Sequence, residues 1–236
     1  MTNLLLANLV VLLGAFVQGA AGLGFAMVAV PLLALIDLDL VPGPAMIGLL
    51  TVALIMALQG RHEIRWPDLL RLLPGLVVGS AVGALLLVNL TRTQLAPVLG
   101  AIILIGVAAV VSGWRVPLNL VSLTAGGAAA GAMGTIAGIH GPPLAILFSS
   151  TRASEARAMI AWAFVLAALL SLASLWIAGR LAPAGLGQGL ALLPGLLLGL
   201  LLARLALGRI SPRWPRLAML TLATLSGLLL IWPKAG

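Results

Sequence analysis

His140 is the one ionisable side chain that the sequence sets deep inside apolar surroundings, preceded by Thr135 and Gly138 and followed by Gly141-Pro142-Pro143. An imidazole changes charge near physiological pH and can give or take a hydrogen bond, so it could contact an anion or carry a proton. A lone buried His is as readily a structural hydrogen-bonding residue. A metal site is not expected, because no second His and no carboxylate stand near it in sequence. The other cluster is Gln18-Gly19-Ala20-Ala21-Gly22-Leu23-Gly24-Phe25. There Gln18 offers an amide donor to a ligand oxygen or to a neighbouring helix. Polar groups in hydrocarbon are costly without partners, which makes Gln18, Thr135 and His140 candidates for a site. Thr135 can also bond its own helix backbone. Ser149, Ser150 and Thr151 fall at the cytoplasmic end of a short segment and are expected to cap it or to be solvated there.

Enzymatic chemistry finds little material here. All five acids, Asp37, Asp39, Glu63, Asp68 and Glu155, are expected in loops, and there is no cysteine. No acid pair, nucleophile with its base or HExxH pattern is set within an apolar segment. The chain reads as a non-enzyme without a cofactor.

The elements that must position these residues follow from composition. Hydrophobic residues make up 62% of the 236 positions and charged residues only 8%. A soluble domain needs about a quarter of its residues charged, so this is an integral membrane protein. The net charge of +8 comes from scattered arginines rather than a basic block. They read as topology signals and do not point to nucleic acid. Met1-Thr2-Asn3 carries no basic residue, so a removable signal peptide is not expected.

Breaks at Pro, Gly and charge give apolar segments at 4–22, 24–36, 44–59, 69–89 and 95–112, then 119–138, 142–150, 157–178, 186–207 and 214–232. Segments 24–36 and 142–150 are too short for about 30 Å of hydrocarbon, and each follows a Gly-rich break. They read as half-helices. A helix N-terminus presents free N–H groups and partial positive charge, a seat for an anion. Gly22, Gly24, Gly138 and Gly141 let backbone approach a ligand, and Pro142 suits a first helical turn. Gly14, Gly127 and Gly131 read as helix-packing positions.

Leu72-Leu73-Pro74-Gly75-Leu76 with Gly79 recurs 120 residues later as Leu192-Leu193-Pro194-Gly195-Leu196 with Gly199, and Gly22-Leu23-Gly24-Phe25 lies about 116 residues before Gly138-Ile139-His140-Gly141. The expectation is a two-fold repeat, 1–116 and 117–236, with five membrane elements each. That parity puts Arg61, Arg65, Arg71, Arg115, Arg152, Arg157, Arg204, Arg209, Arg213 and Arg216 on one side, and Arg92, Arg180 and Lys234 on the other. The positive-inside rule then makes the repeats inverted and sets both termini outside the cytoplasm. The two breaks should meet near the midplane, where transporters of this build bind substrate. Arg61 and Arg152 follow membrane segments on the cytoplasmic side, where topology explains them and drawing anions to a pathway mouth is the alternative. Trp66, Trp114, Trp214 and Trp232 read as interfacial anchors.

Phe16 through Phe25 leading to Val30-Pro31-Leu32-Leu33, with Gly131-Ala132-Met133-Gly134 through Gly141-Pro142-Pro143, resembles the sulfite exporter TauE/SafE family, also called the toluene sulfonate uptake permease family. The resemblance implies an all-α, multi-pass transporter in the cell membrane, the inner membrane of a bacterium, moving sulfite, organosulfonates or related sulfur oxyanions. The two breaks and the polar side chains near them make Gln18, Gly22, Gly24, Phe25, Thr135, Gly138, His140, Gly141 and Pro142 the expected substrate-binding residues. Thr135 and His140 depart from the small residues usual in the family at those places. Proton coupling through His140, a channel-like uniporter, a non-transporting scaffold and a homodimer stay open at this level.

Overall fold

The computed structural model describes residues 2–181, 183–206, 209, 211 and 213–232, with the Thr2 side chain left aside. Lys234, one of the three basic residues expected outside, lies beyond the described residues.

Eleven α-helices and three 3₁₀ turns form among the described residues, and no strand. In chain order they are α1 (Thr2–Ala21), α2 (Phe25–Ile36), α3 (Gly43–Gln59), α4 (Trp66–Asn89), α5 (Arg92–Val111), α6 (Leu120–Ala137), α7 (Gly141–Leu147), α8 (Ala153–Ile177), α9 (Pro183–Ala191), α10 (Leu193–Ala206) and α11 (Arg213–Ile231). The short turns are Leu38–Leu40, Arg61–Glu63 and Phe148–Ser150. Seven helical stretches are long and apolar enough to cross a membrane, while Phe25–Ile36 and Gly43–Gln59 are shorter. The 12 residues of α2 reach about 18 Å and the 7 of α7 about 10 Å at 1.5 Å per residue.

The expected segment 186–207 is two helices, which corrects that reading. Asn8 supplies the reason. Its Nδ2 donates to the Ala191 carbonyl at 3.0 Å and its Oδ1 accepts from Gly195 N at 2.9 Å. Those two groups would otherwise pair with each other as a helical i to i−4 bond, so the Asn8 amide substitutes for the bond lost beside Pro194. The same Leu-Leu-Pro-Gly-Leu run inside α4 stays helical. There Thr124 reaches only the Arg71 carbonyl, at 3.4 Å, and takes nothing from Gly75 N.

Close backbone approach organises the bundle. A Cβ on Gly75 or Gly79 of α4 would run into the carbonyls of Thr124 or Ala128 in α6. A Cβ on Gly195 or Gly199 of α10 would meet those of Asn8 or Leu12 in α1 in the same way. Contacting residues in the two pairs are thus separated by the same offsets, 120 and 116, that the sequence shows. Helix α8 runs through the centre against α3, α4, α6 and α7.

Ion pairs and caps sort the loops to two ends. Arg65 pairs with Glu155 at 3.2 Å and with buried Asp68 at 2.9 Å, and Arg71 reaches Asp68 at 3.4 Å. At the far end, Arg92 pairs with Asp39 at 3.1 Å, and Arg180 donates to the Val88 carbonyl at 2.6 Å. All five acids lie at helix starts or in short turns. Trp66, Trp114, Trp214 and Trp232 are all exposed at helix ends.

Candidate functional site

The α1–α2 and α6–α7 breaks share one backbone solution. Gly22 N donates to the Gln18 carbonyl at 2.7 Å and Gly138 N to the Gly134 carbonyl at 2.6 Å. Gly22 and Gly138 have φ of 85° and 72°, the left-handed conformation that ends a helix and that glycine adopts without a Cβ penalty. Gly24 follows at φ 127°. A Cβ there would also strike Met219 and Val17.

The breaks meet. Gln18, Gly24, Ala26 and Met27 from one side and Ile139, His140 and Gly141 from the other line a single cavity of ≈ 10 Å³, with Leu23, Leu49 and Phe164 completing it. That is about the room one water needs. Gln18 is buried and uses its amide within its own break: Oε1 accepts from Phe25 N at 2.9 Å, and Nε2 donates to the Gly22 carbonyl at 3.4 Å. One of the free N–H groups expected at the start of α2 is thereby taken, and the next two belong to Ala26 and Met27 in the cavity wall. Helix α7 has fewer donors to offer, because Pro142 and Pro143 carry no N–H.

His140 is fully buried. Its Nε2 lies 3.2 Å from Ser171 Oγ, which lies 2.7 Å from Thr135 Oγ1. One ring face rests on Gly134, where a Cβ would occupy the ring's place. Phe164 stands edge-on at 6.4 Å between centroids. Nδ1 makes no hydrogen bond of normal geometry, and the carbonyls of Gly138 and Ala167 stand near the ring.

Of the residues singled out from sequence, Gln18, Gly24, His140 and Gly141 line the cavity, and Thr135 stands behind His140 through Ser171. The rest face elsewhere. Gly22 lies under the Arg157 side chain, 3.1 Å from where a Cβ would sit, Gly138 faces Val30, and Pro142 packs on Gly106. Phe25 is buried against Gly14 and Gly48. Ser149 and Thr151 bond the carbonyls of Ile146 and Phe148 at 2.8 and 2.9 Å, as capping residues do. Ser171 and Arg157 were not singled out as site residues. A lone hydroxyl in the run Leu169-Leu170-Ser171-Leu172 was the available signal for the first.

A second cavity of ≈ 530 Å³ sits at the arginine-rich end, lined among others by Ala21, Leu23, Val110, Arg115, Ser149, Arg216 and Met219. It contains two guanidinium groups and no acid, so it favours anions. Half-buried Leu23 lines both cavities, and Met219 of this vestibule's wall packs against Gly24 of the other. Arg61 and Arg152 are not among the vestibule walls; Arg61 turns to His62 at 3.3 Å on the surface. At the far end a cavity of ≈ 380 Å³ around Asp39, Pro42, Arg180 and Gln188 touches neither break. Ile139, Val30 and Leu33, on that side, are fully buried.

The family model described as sulfite exporter TauE/SafE matches residues 7–230. Comparison with curated proteins and with solved structures gives no match.

Proposed function

For a chain that belongs to the sulfite exporter TauE/SafE family, a family of membrane transporters rather than enzymes, we propose secondary transport of a small sulfur oxyanion by alternating access around the cavity between the two breaks. The observation that carries this reading is the convergence of both breaks on one cavity, which shares Leu23 with an arginine-lined vestibule at one end and is packed shut toward the other. An open channel is disfavoured by the same fact, since ≈ 10 Å³ at the centre passes no hydrated ion.

The two halves, 1–116 and 117–236, act as inverted repeats that rock against each other. Support comes from the glycine contacts: α4 lies on α6 as α10 lies on α1, through residues at the offsets of the sequence repeat. The arginine-rich end faces the cytoplasm and both termini face away from it, following the positive-inside rule. The vestibule then collects cytoplasmic anions, and a potential negative inside favours their exit by about 2.3 kcal/mol per charge per 100 mV. Ala26 and Met27 offer the N-terminal amides of α2, and His140 a side-chain contact. Gln18, Gly22, Gly24, Phe25, Thr135, Gly138, Gly141 and Pro142 hold the backbone that forms the seat.

The test is radiolabelled sulfite flux in proteoliposomes under an imposed potential, against protein-free liposomes. Flux that follows the potential supports the reading. No flux of sulfite, organosulfonates or other small anions under any gradient removes it.

A further inference from the structure

Thr135, Ser171 and His140 form a row of polar groups sealed from solvent, each residue 0% exposed. The distances, 2.7 Å from Thr135 Oγ1 to Ser171 Oγ and 3.2 Å from there to His140 Nε2, let the row run in either direction. Counting protons chooses between them. If Thr135 donates to Ser171 and Ser171 donates to Nε2, both hydroxyl protons are matched, Nε2 is an acceptor, and the neutral ring carries its proton on Nδ1. In the reverse order, Nε2–H donates to Ser171 and Ser171 to Thr135. The Thr135 proton then meets no acceptor within the row, and Nδ1 is left as a bare lone pair without a partner. One order leaves a single buried group unmatched and the other leaves two, and unmatched buried groups are what folded interiors avoid. The single unmatched group is an N–H on a residue that lines the cavity.

We infer that Thr135 and Ser171 lock His140 as the Nδ1–H tautomer, a fixed hydrogen-bond donor for one oxygen of an oxyanion seated between the breaks, with Ser171 as a positioning residue. The identity of the oxyanion rests on the transport reading; the tautomer does not. The ring cannot easily turn over to exchange its nitrogens, because Gly134 lies against one face and Phe164 stands at its edge. At the offset of 116, Gln18 corresponds to Gly134 and Gly24 to His140. The first half thus fills this space from the helix before the break, the second half from the break itself. Only the second leaves a side-chain donor without a partner. A neutral donor of this kind binds an anion without releasing its own proton.

The chain has two histidines, and the other, His62, is exposed on the turn Arg61–Glu63. Protein labelled with ¹⁵N-histidine and carrying His62→Gln therefore reports His140 alone. In bilayers at neutral pH its ¹⁵N spectrum is expected to show a protonated Nδ1 and a bare Nε2, with the Nδ1 signal shifting on addition of sulfite. Thr135→Val leaves Ser171 donating to Nε2 and keeps the proton on Nδ1, whereas Ser171→Ala removes that donor and puts both tautomers in the spectrum. Ser171→Ala raises the sulfite KM by about tenfold with little change in kcat, the loss expected of one hydrogen bond to a charged group. A wild-type spectrum showing Nε2–H or an imidazolium overturns the inference, whatever the variants do. So does an Nδ1 signal that sulfite leaves unmoved while sulfite is transported. A protonated Nδ1 in protein that transports no small anion leaves the tautomer standing and overturns the transport reading instead.

Discussion

The first break and the second have the same backbone and opposite fillings. Gly22 and Gly138 close their helices with the same left-handed turn and the same bond to the residue four before. Yet the first is stapled by Gln18, whose amide bonds Phe25 N and the Gly22 carbonyl, while the second holds a ring with one nitrogen free. Their middle residues differ as well. Leu23 is half-buried beside an arginine-lined vestibule, and Ile139 is sealed. The shared backbone turn shapes the cavity, and the side chains differ: Gln18 fixes its own break, and His140 carries the donor that we infer.

Exchanging the fillings has the largest expected effect. Gly134→Gln drives a side chain into the His140 ring and should destabilise the protein by roughly 3 kcal/mol, with loss of folded material in a detergent thermal-shift assay. Adding His140→Gly to that variant rebuilds the first break in the second and should recover most of the stability while sulfite flux stays lost. Recovery of both would remove that difference between the breaks. Next in size, Gln18→Leu leaves Phe25 N–H unpaired and should cost about 1–3 kcal/mol, seen as a fall in Tm. The flux of the surviving protein should keep its sulfite KM; a KM change as large as that of Ser171→Ala would make Gln18 a substrate ligand.

The absence of native cysteine makes access a clean measurement. Leu23→Cys should react with a charged thiol reagent applied from the arginine-rich side about tenfold faster than Ile139→Cys, since thiol reactivity follows exposure. Equal rates would erase the difference between the two ends. The smallest effect belongs to the vestibule. Arg115→Gln with Arg216→Gln should raise the sulfite KM about two- to fivefold at low salt and hardly at all at high salt, as screened steering does.

Much of this architecture is written in glycine and proline, because those residues act on the backbone wherever they stand. The breaks at Gly22–Gly24 and Gly138–Gly141 and the shortness of α2 and α7 could be read from them directly. The interruption at Leu192 could not, since the same pentapeptide continues as helix in α4; Asn8, far away in sequence, decides it. Gln18 was legible as important, but its partners were not, because the turn that brings Phe25 N to its carbonyl oxygen exists only in three dimensions. Ser171 reaches His140 from α8 and Arg157 covers Gly22 from the same helix, both beyond the reach of any local pattern. Of the arginines lining the vestibule, Arg115 sits in a loop and Arg216 in the first turn of α11, and neither looks different in the sequence from Arg61 or Arg152.

The most direct test of a shared seat between the breaks is a structure determined with selenite, the heavier analogue of sulfite, located by the anomalous signal of selenium. The account places a selenium peak between the first turn of α2, at Ala26 and Met27, and Nδ1 of His140, absent when sulfite is added in excess as competitor. A protein that transports sulfite and yet binds selenite only in the vestibule or at the far end, with the cavity between the breaks unchanged, would contradict it.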